Sequence, residues 1–314
     1  MSAYKELAEK LDKIDNVTIL THKSPDGDCI GGGLALCYWL RSKGKKANIL
    51  NSDGIPARYD FLSDRYEPME FEEQTVVSVD VADTTLLGDA LSGYADRVDI
   101  CIDHHKSNKN FAEYNYVDSG ASAVCLVLYE LFEYMGGGYD TLIASCLYTG
   151  IATDTGCFKY QNTTPAAHRA AAGLMEKGVD YETINRRMFD LKSRGRILAE
   201  QRLIGRMKYF ADDAIAIITI TNEMISNYGI DRAELDGFAS IPLTVEGVKI
   251  GITLKQQEDD ENIFKASIRT TLADASALAQ EFGGGGHIRA AGCTLHGGAR
   301  DVTKRIVAAA KRYL

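Results

Sequence analysis

The chain is poor in proline, with five among 314 residues, and carries a single tryptophan. It has no low-complexity tract, so a long disordered segment is not expected. No apolar run approaches the roughly 18 residues that a membrane-spanning helix needs, and no membrane partner is expected. The opening Met1-Ser2-Ala3-Tyr4-Lys5-Glu6 is too polar for a secretory leader. The seven cysteines, at 29, 37, 101, 125, 146, 157 and 293, are odd in number and include no C-x-x-C pair. That pattern argues against a cysteine-built zinc site and fits reduced, buried thiols in a cytoplasmic protein. Basic charge is short as well. The 35 Lys and Arg against 44 Asp and Glu leave a net charge of −9. This disfavours a protein that wraps long duplex nucleic acid, which needs clustered cations. Only residues 186–208 run against the trend, with eight basic and two acidic side chains. They either face a phosphate substrate or form a solvated helix face.

What is present is an ordinary globular composition, 45% hydrophobic and 25% charged, long enough for one large or two medium domains. The first half alternates short apolar runs with helical periodicity. Val17–Leu20, Ala47–Leu50, Thr75–Val79 and Asp99–Ile102 read as strands covered on both faces, the habit of a parallel sheet. Helices are expected from Cys29 to about Lys43, with Gly44 as the cap, and over 121–135, 140–153, 165–177 and 181–190. The expected class is therefore α/β: a doubly wound, mostly parallel N-terminal domain over 1–191. A helical linker over 192–210 then leads to a smaller α+β domain over 211–314. In that domain, strands are expected at 214–220, 248–254 and 264–269, with helices at 222–228, 274–282 and 301–313. The acidic run 258–262 reads as a hairpin loop.

Chemistry-bearing residues collect where these elements end. Thr21-His22-Lys23-Ser24-Pro25-Asp26-Gly27-Asp28 follows a strand and precedes a helix, where open α/β sheets place ligands. One imidazole and two carboxylates there suit Mn, Co, Zn or Mg better than Ca. Alone, the run P-D-G-D is also ordinary turn chemistry. Asp80 closes the strand Val76–Val79, and taken alone it reads as a helix cap, a role Asp83 could equally fill. Asp103-His104-His105 closes the strand Ile100–Ile102 and has no packing purpose. Asp154 ends an apolar helix, where capping is the plainer reading. Gly283-Gly284-Gly285-Gly286-His287, followed by Arg289, exposes backbone N–H groups and permits positive φ, so it can approach an anion. Arg269 on a nearby strand could reach the same region or be an edge residue.

Together and in this order these pieces resemble the DHH/DHHA1 phosphoesterases, whose first name is spelled here by Asp103-His104-His105. The G-G-G-G-H run resembles the loop of their DHHA1 substrate domain. The resemblance spans nearly the whole chain. It lies nearest the short two-domain members, the nano-RNase/3′-phosphoadenosine-5′-phosphate phosphatases and the dinucleotide phosphodiesterases. It implies two divalent cations, Mn2+ first and Mg2+ or Co2+ next, that activate a bridging water. His22 and Asp26 would hold one cation, Asp28, His104 and Asp154 the other, and Asp80 would bridge them. His105 would touch the phosphate with Asp103 behind it, while Arg269, Gly283, Gly284, Gly285, Gly286 and His287 would hold the rest of the substrate. Gly32 stands where many members carry a serine, which removes a minor phosphate contact. The implied substrates are short single-stranded RNA, dinucleotides such as pApA, or 3′-phosphoadenosine-5′-phosphate. A homodimer is the assembly the family suggests.

Three other readings compete. A cyclic di-AMP phosphodiesterase needs similar chemistry. A manganese-dependent pyrophosphatase would share the first domain but lack the G-G-G-G-H run. A nucleotide-binding regulator that has lost catalysis sits poorly with a complete set of metal donors.

Overall fold

The computed structural model describes residues 4–230 and 232–314. The chain divides into two compact units, one ending at Leu191 and the other running Lys192–Leu314. In the first, α1 (Tyr4–Lys13) leads into β1 (Val17–Leu20), α2 (Gly27–Ser42), β2 (Ala47–Leu50), the single turn α3 (Asp60–Ser63), β3 (Thr75–Val79), β4 (Ile100–Asp103) and β5 (Tyr114–Val117). Four helices follow: α4 (Val124–Tyr134), α5 (Thr141–Asp154), α6 (Pro165–Glu176) and α7 (Tyr181–Asn185). The strands form one parallel sheet in the order β2-β1-β3-β4-β5. Every residue of β1 and β4 is buried, as continuous apolar strands between two helical layers should be. The chain leaves β1 toward β2 on one side and β3 toward β4 on the other. The loops after β1 and β3 therefore diverge, and this switch point opens a crevice at the carboxyl ends of the strands.

Helix α2 starts at Gly27, two residues before the expected Cys29. Asp26 caps it, its Oδ1 accepting from the backbone N–H groups of Asp28 and Cys29 at 3.1 and 3.0 Å. What reads locally as a turn is thus also a helix start. Helices α2 and α5 meet through glycines. A Cβ on Gly31 would stand 2.5 Å from the carbonyl oxygen of Cys146, and one on Gly150 would stand 2.6 Å from Asp28 Oδ1. This close approach sets the last residue of α5, Asp154, beside the first turn of α2. At Gly32 a Cβ would meet Val79 and Val124 at 2.9 and 3.0 Å, so packing leaves little room for the serine expected there.

The second unit contains α8 (Arg194–Ile204), β6 (Lys208–Phe210), β7 (Ile215–Ile220), α9 (Asn222–Tyr228), β8 (Ile250–Gln256) and β9 (Ile263–Thr270). Next come α10 (Ala275–Gln280), β10 (Gly285–His287), β11 (Ala290–His296) and α11 (Ala299–Ala310). Its six-stranded sheet, β10-β11-β9-β8-β7-β6, is antiparallel except for the β7–β8 pair. Ile252, Phe264 and Ile268 pack against Leu278 and Ile306 on one face. Ile218 and Ile220 pack with Ala199, Leu203 and Met224 on the other. Two expectations change here. Residues 208–210, read as the end of a helical linker, form an edge strand paired with β7. Gly285 and Gly286, read as loop, lie in the edge strand β10, paired with β11. Both strands are three residues long, too short for period-two alternation to reveal them.

On helix propensity alone, Gly31→Ala should stabilise α2 by up to about 1 kcal/mol. The contact with the Cys146 carbonyl reverses the sign, and a loss of about 1–3 kcal/mol is expected from overpacking. A thermal melt checks this; an unchanged or raised Tm contradicts the glycine-mediated packing.

Candidate metal centre

His22 leaves the end of β1 with its loop pinned by Asn51, whose Nδ2 donates to the His22 carbonyl at 2.7 Å and to Thr21 Oγ1 at 2.9 Å. The ring contacts the Lys23 carbonyl through Nδ1 at 2.8 Å. A carbonyl only accepts, so Nδ1 carries the hydrogen and Nε2 is the atom presented to the crevice. That Nε2 lies 3.6 Å from Asp80 Oδ2 and 3.8 Å from Asp26 Oδ1. Burial opposes charge on this ring, but Asp80 and Cys29 outweigh it and push its pKa up to about 12.

His104, just beyond β4, is arranged the same way. Its Nδ1 contacts the Ala121 carbonyl at 3.3 Å, and its Nε2 lies 3.6 Å from Asp28 Oδ2, 3.5 Å from Asp80 Oδ1 and 3.7 Å from Asp154 Oδ2. Asp80 therefore presents one oxygen to each imidazole. It is 2% exposed, and its Oδ1 accepts no hydrogen bond. Its backbone sits at φ +62°, in the left-handed region, which costs a non-glycine residue roughly 1 kcal/mol or more. The ladder bond from Asp80 N–H to the Ile102 carbonyl, 3.0 Å, holds that conformation.

Asp28, 1% exposed, accepts from Val124 N–H at 2.6 Å through Oδ2 and from Cys125 N–H at 2.9 Å through Oδ1. These are the first amides of α4, whose own N-cap residue, Ala123, offers no side-chain cap. The carboxylate of one helix thus caps another, and the amide dipoles help hold a buried charge. Burial nonetheless raises its pKa well above the usual carboxylate range, with Asp80 and Asp154 adding to the effect. Asp154 ends α5, at the negative pole of that helix. Burial first, then Asp80 and Asp26, push its pKa up to about 6 against the opposing pull of His104 and His105.

These six residues form one cluster of four carboxylates and two imidazoles. Its donor set, oxygen and imidazole nitrogen, suits a mid-row or magnesium-type divalent ion. The buried, unbonded Asp80 oxygen between two imidazoles is the feature such an ion fits.

His105 and Asp103 lie at its edge. Asp103 is fully buried and receives His105 Nδ1 at 2.8 Å, His104 N–H at 2.8 Å and Asn108 Nδ2 at 2.6 Å. The bond to Asp103 outweighs burial and lifts the His105 pKa to about 9. Its Nδ1 also lies 3.6 Å from Asp80 Oδ1, so the ring borders the cluster.

Arg269, Gly283, Gly284, Gly285, Gly286 and His287 belong to the second unit. Arg269 pairs with Ala290, and Ala290 pairs with His287. Paired residues on neighbouring strands share a face, so a cationic side chain and an imidazole flank a small alanine on one face of the sheet. Gly283 and Gly286 have φ of +70° and +143°, which justifies glycine at both.

Two supporting residues escaped the sequence reading. Asn108 holds Asp103, and its place shortly after Asp103-His104-His105 is the only signal it leaves. Asn162 donates to the Asp154 carbonyl at 3.1 Å, to Asp154 Oδ2 at 3.4 Å and to the Ser122 carbonyl at 3.1 Å. It returns to Asp154 after a turn in which Gly156, Cys157 and Phe158 all have positive φ, and no spacing rule anticipates that path.

The sequence matches the DHH family, N-terminal domain, over residues 16–151 and the DHHA1 domain over 213–314. A Thermus thermophilus protein named bifunctional oligoribonuclease and PAP phosphatase NrnA is 31% identical over 297 residues, 93% of this chain and 88% of the relative. An exopolyphosphatase-related protein from Bacteroides fragilis has a crystal structure that superposes with a TM-score of 0.88 at 26% identity. The match covers 99% of this chain and 96% of that one. RecJ from Thermus thermophilus, crystallised with Mn2+, shares the fold at a TM-score of 0.57 and 15% identity, over all of this chain and 55% of RecJ. Fold and site together define a divalent-metal-dependent hydrolase of phosphoester bonds. The chain belongs to the DHH/DHHA1 phosphoesterase family, among its NrnA-like members.

The raised pKa values set a sign for the pH dependence of protein stripped with a chelator. The folded state retains protons at Asp154 up to about pH 6, whereas the unfolded chain releases them near pH 4. His105 acts in the same direction between about pH 6.5 and its folded value of about 9. Stability of the stripped protein should fall as pH rises through both windows, and the gain in Tm on adding Mn2+ should be larger at pH 7.5 than at pH 5. Melts with and without Mn2+ read this directly; a gain independent of pH contradicts it. Separately, Asn162→Ala should weaken Mn2+ binding roughly 10–100-fold, as measured by calorimetric titration.

Proposed function

We propose that this protein uses two divalent ions, Mn2+ in the first instance, to hydrolyse short oligoribonucleotides to mononucleotides and 3′-phosphoadenosine-5′-phosphate to AMP. The observation that carries the two-ion reading is Asp80, with one carboxylate oxygen toward His22 and the other toward His104. His22, Asp26 and Asp80 Oδ2 would hold one ion; Asp28, His104, Asp154 and Asp80 Oδ1 the other. At such a pair the chemistry supplied is Lewis-acid activation of water at neutral pH and neutralisation of charge developing on the phosphate.

The chain's own residues do the rest. Four carboxylates balance two divalent charges, so the loaded centre is close to neutral and accepts an anionic ester. His105, oriented by Asp103 through Nδ1, would donate toward a phosphate oxygen or the departing oxygen. Asp103 fixes the ring's direction and is itself fixed by Asn108. The family resemblance would give Arg269 and His287, which share one face of the second unit's sheet, a part in binding substrate. The substrate class follows the names of the curated relatives. It also fits a chain whose net charge of −9 suits small anions held at a metal centre better than a long polyanion. Seven free cysteines are in keeping with a reducing cytoplasm. Among the described residues no helix is long and apolar enough to cross a membrane.

The test is a Mn2+-supplemented panel of pApA, a short RNA, 3′-phosphoadenosine-5′-phosphate, cyclic di-AMP and pyrophosphate, with products separated by chromatography. Mononucleotide and AMP release with pyrophosphate untouched is expected. Hydrolysis of pyrophosphate alone sinks the proposal. Asp80→Ala should lower kcat by at least roughly 10³-fold, and a variant with near-normal turnover removes the bridging role.

A further inference from the structure

One side chain at the centre has no part in the chemistry above. Cys29 follows Asp28 in the first turn of α2 and is fully buried. Its Sγ, a ring nitrogen of His22 and a carboxylate oxygen of Asp80 all lie within 4.8 Å of one another. Among the described residues no other cysteine enters such a group. Cys37, Cys101 and Cys125 instead meet backbone carbonyls, of Ala47, Val81 and Asp28, at 3.3, 3.7 and 3.5 Å. Cys29 likewise meets a backbone carbonyl, that of His22, at 3.8 Å; what sets it apart is its place beside two candidate metal donors. Asp80, the third member of the group, turns its other oxygen, Oδ2, toward His22, and its carboxylate is almost wholly buried.

Sulfur is chemically out of character here. The rest of the cluster is oxygen and imidazole, a set that serves Mn2+ and Mg2+, whereas a thiolate favours Zn2+, Cd2+ or Co2+. Resting on the reading of this cluster as a metal centre, we propose that Cys29 makes its His22–Asp80 half a site for thiophilic divalent cations. On binding, a sulfur–metal bond forms and the Sγ–H proton leaves to solvent, so a soft ion competes with Mn2+ at this half of the centre. A purely space-filling cysteine could be replaced by alanine without changing metal preference; a sulfur donor could not.

The experiment is Co2+ titration of chelator-stripped full-length protein, followed by absorbance. Wild type should show visible d–d bands together with a near-ultraviolet thiolate-to-cobalt charge-transfer band. Cys29→Ser and Cys29→Ala should keep the visible bands and lose the charge-transfer band, and bind Zn2+ about tenfold or more weaker in competition. Visible bands without the charge-transfer band in wild type overturn this proposal alone, as does a charge-transfer band that survives in both variants. No cobalt spectrum of any kind overturns the metal-centre reading as well.

Discussion

Mutual repulsion of buried carboxylates is the constraint on which this centre depends. Asp26, Asp28, Asp80 and Asp154 all border the crevice, and Asp28 and Asp80 are almost wholly removed from water. At an effective dielectric near 20, two like charges about 4 Å apart repel by about 4 kcal/mol. The fold answers with what positive charge it has: amide dipoles at the start of α2 on Asp26 and of α4 on Asp28, and two imidazoles turned inward. Those devices are incomplete. The raised pKa values at Asp28 and Asp154, and the unbonded oxygen of Asp80, are what is left uncompensated. A dication is the compensation that matches both the charge and the donor type.

Holding such a cluster together requires a rigid frame, and three devices provide it. The parallel sheet fixes the strand ends after which His22, Asp80 and His104 project, with Asp80 kept in the left-handed region by its ladder bond. Glycines 31 and 150 let α2 and α5 approach until Asp154 stands beside Asp28. Asn108 then holds the Asp103 side chain, and Asn162 holds the end of α5 at Asp154. The strain at Asp80 is local and the compensation is spread, the pattern expected where a site rather than the fold benefits.

The second unit follows a different logic. Its sheet packs one face against α10 and α11, while the β9–β11–β10 side of the other face carries Arg269, Ala290 and His287 in one row. Small residues at 285, 290 and 292 keep that face low, and Gly283 and Gly286 are required by their backbone angles. A surface of this kind suits close approach of a polar ligand.

Much of the architecture was legible in the amino acids, because its signals are local. Continuous apolar strands announced a parallel sheet. Acid and histidine residues at strand ends marked the crevice, since a doubly wound sheet puts ligands there whatever their identity. Short or weakly patterned elements were not legible: β5, with every residue half-buried, and the three-residue strands β6 and β10, which exist because a longer neighbour pairs with them. By itself, then, the sequence determined the fold class, the order of the units and which side chains had the right chemistry for a metal-dependent phosphoesterase. Only the tertiary structure decided which Asp80 oxygen faces which imidazole, that Asp28 caps α4, that Asn108 and Asn162 support their acids, and that Cys29 lies beside His22 and Asp80. Those are relations between residues distant along the chain, set by helix approach and strand register. No local pattern encodes such distances.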